Sequence, residues 1–188
     1  MTKISLIIGS TRQNRAADKV AEWVTGQISL HDTLELEIID LAQEDLPFFV
    51  APTPPSYAPD QSPHALAWGK KVAATDHIIF LTAEYNRGIP AALKNAIDYL
   101  KSEWEGKPAA IISYGFIDGG LSATRHLQDV LGWLKVRVVP TTIQLQLTRD
   151  MLGADGTIAD PVSSFAGYNE QMNDMLDELL AAEARAVT

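Results

Sequence analysis

Gly9-Ser10-Thr11-Arg12 directly follows the apolar run Ile4-Ser5-Leu6-Ile7-Ile8 and precedes an amphipathic stretch. Ser10 offers a hydroxyl, Arg12 a permanent charge, and the amides that open a helix point toward an anion, so this segment reads as a phosphate cradle. Gly9 is expected to give the backbone the freedom for a sharp turn. A second segment, Thr82-Ala83-Glu84-Tyr85-Asn86-Arg87-Gly88-Ile89-Pro90, also stands between an apolar run and a helical pattern. Two such loops at two strand ends imply one shared site. Arg15 and Lys19 add cations beside the first loop, although Lys19 and one arginine can equally be solvated helix residues. The chain has no cysteine, which excludes disulfides, thiolate-ligated clusters and cysteine nucleophiles. Redox chemistry would therefore come from a bound cofactor. His31, His64, His77 and His126 are scattered without the spacing of a metal site.

The elements that position these loops alternate regularly. Lys3 to Gly9 reads as a buried strand, short and nearly continuous in apolar character. Asn14 to Ile28 places Ala17, Val20, Ala21, Val24 and Ile28 on one helical stripe. Leu34 to Leu41 alternates, with Leu34, Leu36 and Ile38 expected inward and Glu35 and Glu37 outward, as suits a strand nearer the edge. Residues 47–63 hold six of the ten prolines and must form an extended loop, a candidate wall of the site.

A helix is expected from about His64 to Ala74, a strand over His77 to Thr82, and a helix from Pro90 to Leu100, with proline suited to the first helical position. Ala109 to Tyr114 reads as a fourth strand, Leu121 to Leu134 as a helix, and Val136 to Ile143 as a fifth strand. A last helix is expected from about Phe165 to Ala186, burying Met172, Met175, Leu176 and Leu179. Strands alternating with helices require a parallel sheet with right-handed crossovers and both faces covered. The expectation is one domain, a three-layer α/β sandwich with a five-stranded parallel sheet of order 2-1-3-4-5. Ligands of such sheets lie at the carboxyl ends of the strands where the order reverses, here between strands one and three.

Bulk composition excludes several classes. Apolar residues make up 46% and charged residues 21%, values of a soluble globular protein. The N-terminus enters a strand at once without the regions of a signal peptide, so a cytoplasmic protein is expected. A formal charge of -9 without a basic stripe argues against nucleic acid as a partner, and no apolar run is long enough for a membrane.

Gly9-Ser10-Thr11-Arg12, Glu84-Tyr85-Asn86 and, beyond Pro90, Leu93-Lys94-Asn95-Ala96-Ile97-Asp98 together resemble the NADPH-dependent FMN reductase family. These are flavodoxin-like proteins that include quinone, azo and chromate reductases, and the resemblance covers nearly the whole chain. It implies that Ser10 and Arg12 hold the FMN phosphate. Arg15 and Ala17 stand where many relatives have a serine and an asparagine, so the resemblance leaves Arg15 as a charged replacement and Ala17 with only its amide. Ala83 stands where proline usually precedes the Glu-Tyr-Asn string. Glu84, Tyr85 and Asn86 are implied to run along the isoalloxazine, while Ser113 and Gly115 match a third loop. The plainer alternative is that Tyr85 and Asn86 shape a turn and that Ser113-Tyr114-Gly115 ends a strand.

The same resemblance implies bound FMN, NADPH or NADH as co-substrate, hydride passage through flavin N5, and a small-molecule acceptor in a ping-pong cycle. Quinones, flavins, azo compounds and oxidised metal ions are all candidate acceptors. Lys94, Asn95 and Asp98 are read as structural, on a helix that in the family contributes to a homodimer; a tetramer stays open. Trp23, Trp68, Trp104 and Trp133 serve core or interface packing. Two alternatives remain at this level: a flavodoxin-like carrier of single electrons, and a regulatory domain that kept the fold without the flavin.

Overall fold

The structure is a computed structural model and describes residues 1–182. Strand β1 (Thr2–Ile8) is buried along most of its length because both faces are covered. It pairs in parallel with β2 (Leu34–Asp40) on one side and β3 (His77–Ala83) on the other. The order continues through β4 (Pro108–Gly115), all but its last residue buried, to the far edge. The reading of order 2-1-3-4-5 holds, so the topological switch lies between β1 and β3.

The far edge differs from the single fifth strand expected over residues 136–143. It consists of β5 (Arg137–Val138) and β6 (Ile143–Gln146), both paired in parallel with β4. Pro140 lies in the gap, where its missing amide cannot join a ladder.

The two faces carry two separate cores. On one, α1 (Ala17–Ile28), the short α6 (Pro161–Phe165) and α7 (Asn169–Ala181) pack against Ile4, Leu6, Ile79 and Ile112. On the other, α3 (Pro63–Ala73), α4 (Ala91–Asp98) and α5 (Leu121–Trp133) cover Ile7, Ile78, Phe80 and Ile111. A single turn, α2 (Leu41–Glu44), joins the second group. Two covered faces also correct the reading of β2. Ile39, not Ile38, is buried, and it faces the α3 side; Ile38 is half exposed at the sheet edge. Leu34 and Leu36 face the α1 side as expected and Glu35 is exposed, so the departure is confined to the end of the strand, where Ile39 enters the second core.

The C-terminal helix departs from the expected start at Phe165. Asp160 caps α6 by accepting from the Ser163 amide at 3.1 Å, Pro161 takes the first turn, and a 3-10 turn over Ala166–Tyr168 leads into α7. The four-residue stripe of Met172, Met175, Leu176 and Leu179 is fully buried as read. Residues 183–186 of the expected helix lie outside the described residues.

The tryptophans separate cleanly. Trp23 is buried against Phe165 and donates to Asn169 Oδ1 at 3.0 Å, while Trp68 and Trp104 meet edge to face in the other core. Trp133 is 83% exposed. Asn95 anchors the proline-rich loop, accepting from the Phe49 amide at 2.9 Å and donating to the Pro47 carbonyl at 2.8 Å; Lys94 and Asp98 pair at 2.7 Å. These three residues have the structural roles expected of them. Among the described residues no helix is long and apolar enough to cross a membrane.

Candidate active site

The turn after β1 is made differently from the expectation. Gly9 keeps ordinary backbone geometry, and the residue with positive φ is Asn14, at 51°. Gly9 is required by a close approach: a Cβ there would lie 2.9 Å from Leu93 Cδ2 and 3.2 Å from the Leu81 carbonyl oxygen. Its own amide donates to that carbonyl at 2.9 Å, which draws the loop onto β3. Ser10, fully buried, shares a hydrogen bond of 2.6 Å with the Tyr85 hydroxyl. The first and second loops are thereby joined by their own side chains.

Arg15 turns away from this junction. Its guanidinium forms two bonds to the Asp40 carboxylate, at 2.8 and 2.6 Å, and also donates to the Ser10 carbonyl and to Asp18. Both members of the Arg15–Asp40 pair are largely buried, with side chains 8% and 12% exposed. Hydrogen bonding to Asp40 raises the Arg15 pKa despite burial, and bonding to Arg15 lowers that of Asp40. Arg12 is exposed, and among the described residues its guanidinium has no ion-pair or hydrogen-bond partner.

Tyr114, at the carboxyl end of β4, is 5% exposed, and its hydroxyl finds no partner of full hydrogen-bond geometry. Burial drives its pKa well above the usual phenol value, and neighbouring Tyr85 adds to the rise. Ser10, Arg15 and Arg12 are near enough to pull it only partly back. A buried donor left unmatched is costly, so this hydroxyl is a demand for an acceptor. The first turn of α1 next to it also lacks a side-chain cap, leaving helix-opening amides available to an anion.

These groups border a cleft of about 190 Å³ at the carboxyl ends of the strands. Arg12, Ala83, Glu84, Tyr85 and Gly115 line it, as do five residues that the sequence reading did not single out for the site: Asn14, Ala16, Tyr114, Phe116 and Leu147. Leu152 and Gly156, from the segment after β6, complete the wall. Tyr114 and Phe116 flank Gly115 in sequence, so their proximity to the strand end was a usable signal. Leu152 and Gly156 carried none, because only the return of the chain brings them there.

Five expected site residues lie off the cleft wall, Ser10 among them, its hydroxyl bonded to that of Tyr85. Arg15 is held by Asp40, and the Ala17 side chain is in the core, leaving its amide alone to meet a ligand. Ser113 Oγ donates to the Gly119 carbonyl and accepts from Thr124, both at 2.8 Å, so it supports the turn beneath the cleft. Asn86 is exposed in a tight turn closed by reciprocal bonds between Tyr85 and Gly88, with positive φ at both Asn86 and Arg87. That is the geometry of a type I′ turn, which needs two left-handed residues. Glu84 borders the cleft, yet its carboxylate accepts from the amides of Ser122 and Ala123 at 3.0 and 3.2 Å and caps α5. Residues 47–63 do not line this cleft; Pro55, Pro59, Asp60 and Gln61 border a separate cavity of about 250 Å³ with α3. Among the described residues no acidic or histidine cluster suited to a metal is present.

A doubly wound parallel sheet with a cleft at its switch point, bordered by the unpaired Arg12, defines a flavodoxin-like α/β protein. FerB of Paracoccus denitrificans, a flavoenzyme NAD(P)H:(acceptor) oxidoreductase, shares this fold with a TM-score of 0.76 at 22% identity, covering 97% of this chain and 99% of that one. The model of the NADPH-dependent FMN reductase family matches residues 2–150, and the chain belongs to that family of NAD(P)H- and FMN-dependent oxidoreductases. An NAD(P)H-dependent FMN reductase of Schizosaccharomyces pombe is 38% identical over 94% of this chain and 88% of its own length. Another, from a Nectria species, is 35% identical over 95% and 96%.

Proposed function

We propose that this chain takes hydride from NADPH or NADH and delivers it, through FMN held in the cleft, to quinones, free flavins, azo compounds or oxidised metal ions in a ping-pong cycle. The observation that carries the reading is the unmatched trio at the end of β1 and β4. An unpaired Arg12 guanidinium, an orphaned Tyr114 hydroxyl and the uncapped opening turn of α1 belong to residues that border one cleft. A phosphate monoester satisfies all three.

Ser10 and Arg12, with the amides of Ala16 and Ala17, would hold that phosphate. Ala83, Tyr85 and Gly115 would border the ring, with Asn86 at its polar edge and Glu84, Ser113 and Arg15 fixing the loops behind them. Bound FMN supplies the centre that accepts and releases hydride. The chain's part is to hold the two-loop junction rigid, present apolar walls such as Phe116 and Leu147, and offer preorganised amides toward developing negative charge. No side-chain acid or base is needed for that role.

Absorption spectroscopy tests this. Protein incubated with FMN and freed of excess should keep the flavin bands and lose them on anaerobic addition of a reduced nicotinamide. Retained flavin that ignores both donors would favour a one-electron carrier, and a colourless protein would overturn the reading.

We also propose a cytoplasmic homodimer, built on the groove between α4 and α5. Its support is a groove of about 310 Å³ lined by Val130, Trp133 and Leu134, with Trp133 almost fully exposed. Sedimentation of Trp133→Glu as a monomer, beside a dimeric parent, is the expected result.

A further inference from the structure

We propose that the hairpin over residues 149–159 is a further cofactor-contacting segment, closing the cleft with Leu152 and Gly156 and setting how long FMN stays bound. This rests on the reading of the cleft as the FMN site. The hairpin begins where the family match ends, at residue 150, and nothing in the strand-end loops that define the family's pattern assigns it a role.

Three observations lead here. First, Leu152 and Gly156 line the same cleft as Arg12 and the orphaned Tyr114 hydroxyl, so the hairpin stands over the groups that call for an anion. Without it, the cleft is bounded only by the loops after β1, β3 and β4 and by Leu147 at the end of β6.

Second, the hairpin holds its own shape. Leu152 and Ile158 form an antiparallel bridge, Gly153 donates to the Thr157 carbonyl at 2.7 Å, and Ala159 donates to the Met151 carbonyl at 3.1 Å. Asp155 closes the tip by accepting from the amide and hydroxyl of Thr157, at 3.0 and 2.8 Å. Its base is fixed by Ile158, 1% exposed in the α1-side core. A segment so stapled presents a preformed wall and loses little freedom when a ligand arrives.

Third, the tip carries its charge on the α1 side of the cleft. Lys19 of α1 pairs with Glu22 at 2.8 Å, and the Asp155 charge acts on it as a weaker, long-range neighbour. That interaction is exposed, hence weakened by salt.

The test is the release rate of FMN, followed by recovery of flavin fluorescence on rapid dilution of the holoprotein far below its dissociation constant. Leu152→Ala should speed release about fivefold with little change in association, because lost wall contacts act mainly on dissociation. Asp155→Asn keeps an oxygen for the Thr157 turn and removes the charge facing Lys19. It should speed release about twofold at low salt, and the difference should vanish at high salt. Asp155 lies at the exposed tip, so this second variant decides the matter if Leu152→Ala fails to fold. A parent that holds FMN while both variants release it at the parent's rate would overturn the inference and leave the cofactor assignment standing. A parent that holds no FMN would overturn both.

Discussion

Arg12 and Arg15 leave the same loop three positions apart and meet opposite surroundings. On the β2 side, Arg15 has two bonds to Asp40, one to Asp18 and one to a backbone carbonyl; nearly every donor of the guanidinium is matched. On the β3 and β4 side, Arg12 is unpaired and Tyr114 hydroxyl is buried without a partner. One region is complete in itself and holds the loop to the sheet. The other is incomplete, with a charge and a buried hydroxyl that the fold itself leaves unmatched. Charge alone does not distinguish them; the presence of a carboxylate at the end of the neighbouring strand does.

The comparison is broken most severely at Asp40. Asp40→Ala leaves a largely buried guanidinium with only Asp18 to face it and should cost about 3 kcal/mol of stability in urea unfolding. The pair also has a pH signature. Because Asp40 is held below the ordinary carboxylate range, its contribution is full above about pH 4 and disappears as the pH falls through the depressed folded value. The stability gap between the parent and Asp40→Asn should therefore narrow on acidification below about pH 4.

Arg12→Ala attacks the other region and should do the reverse. The thermal midpoint of the apoprotein should stay unchanged, while FMN affinity measured by fluorescence quenching falls about tenfold to a hundredfold, the range of a charge-assisted bond. A large loss of stability in this variant would mean that Arg12 resembles Arg15 after all.

Glu84→Ala tests a residue that belongs to both regions. It removes the acceptor of two α5 amides and should lower stability by about 1 kcal/mol, seen in the urea midpoint. FMN binding should weaken as a consequence of the looser turn, and Glu84→Gln, which keeps an oxygen for the amides, should recover most of it.

The smallest effect has the most informative sign. Tyr114→Phe deletes an unmatched buried hydroxyl and should stabilise the apoprotein by about 1 kcal/mol while weakening FMN binding. Opposite changes in the two measurements are the expected mark of a group kept for a ligand. A variant less stable than the parent would mean that the hydroxyl is already satisfied within the fold.

Much of the architecture was legible in the chain, and the reasons are local. Continuous apolar runs such as Ile78-Ile79-Phe80-Leu81 and helical stripes such as that of α7 are consequences of burial period, so they identify elements and their order. Misreadings arose where two partners act on one segment. Ile38 and Ile39 exchange roles because β2 is covered on both faces, and the fifth strand is interrupted because Pro140 cannot supply a ladder amide.

The sequence by itself determined the alternation of strands and helices, the parallel sheet that this alternation requires, and the two polar loops at the switch point. Those follow from periodicity, glycine and proline chemistry, and the rule that crossovers have one hand. Only the tertiary structure decided which arginine is free, that Glu84 turns to α5, that Tyr114 is left unmatched, and that Leu152 and Gly156 reach the cleft. Each of those depends on a partner far along the chain, such as Asp40 for Arg15 or Ser122 for Glu84. A side chain's role is fixed by what is left unpaired after the chain has closed, and spacing along a sequence does not record that remainder.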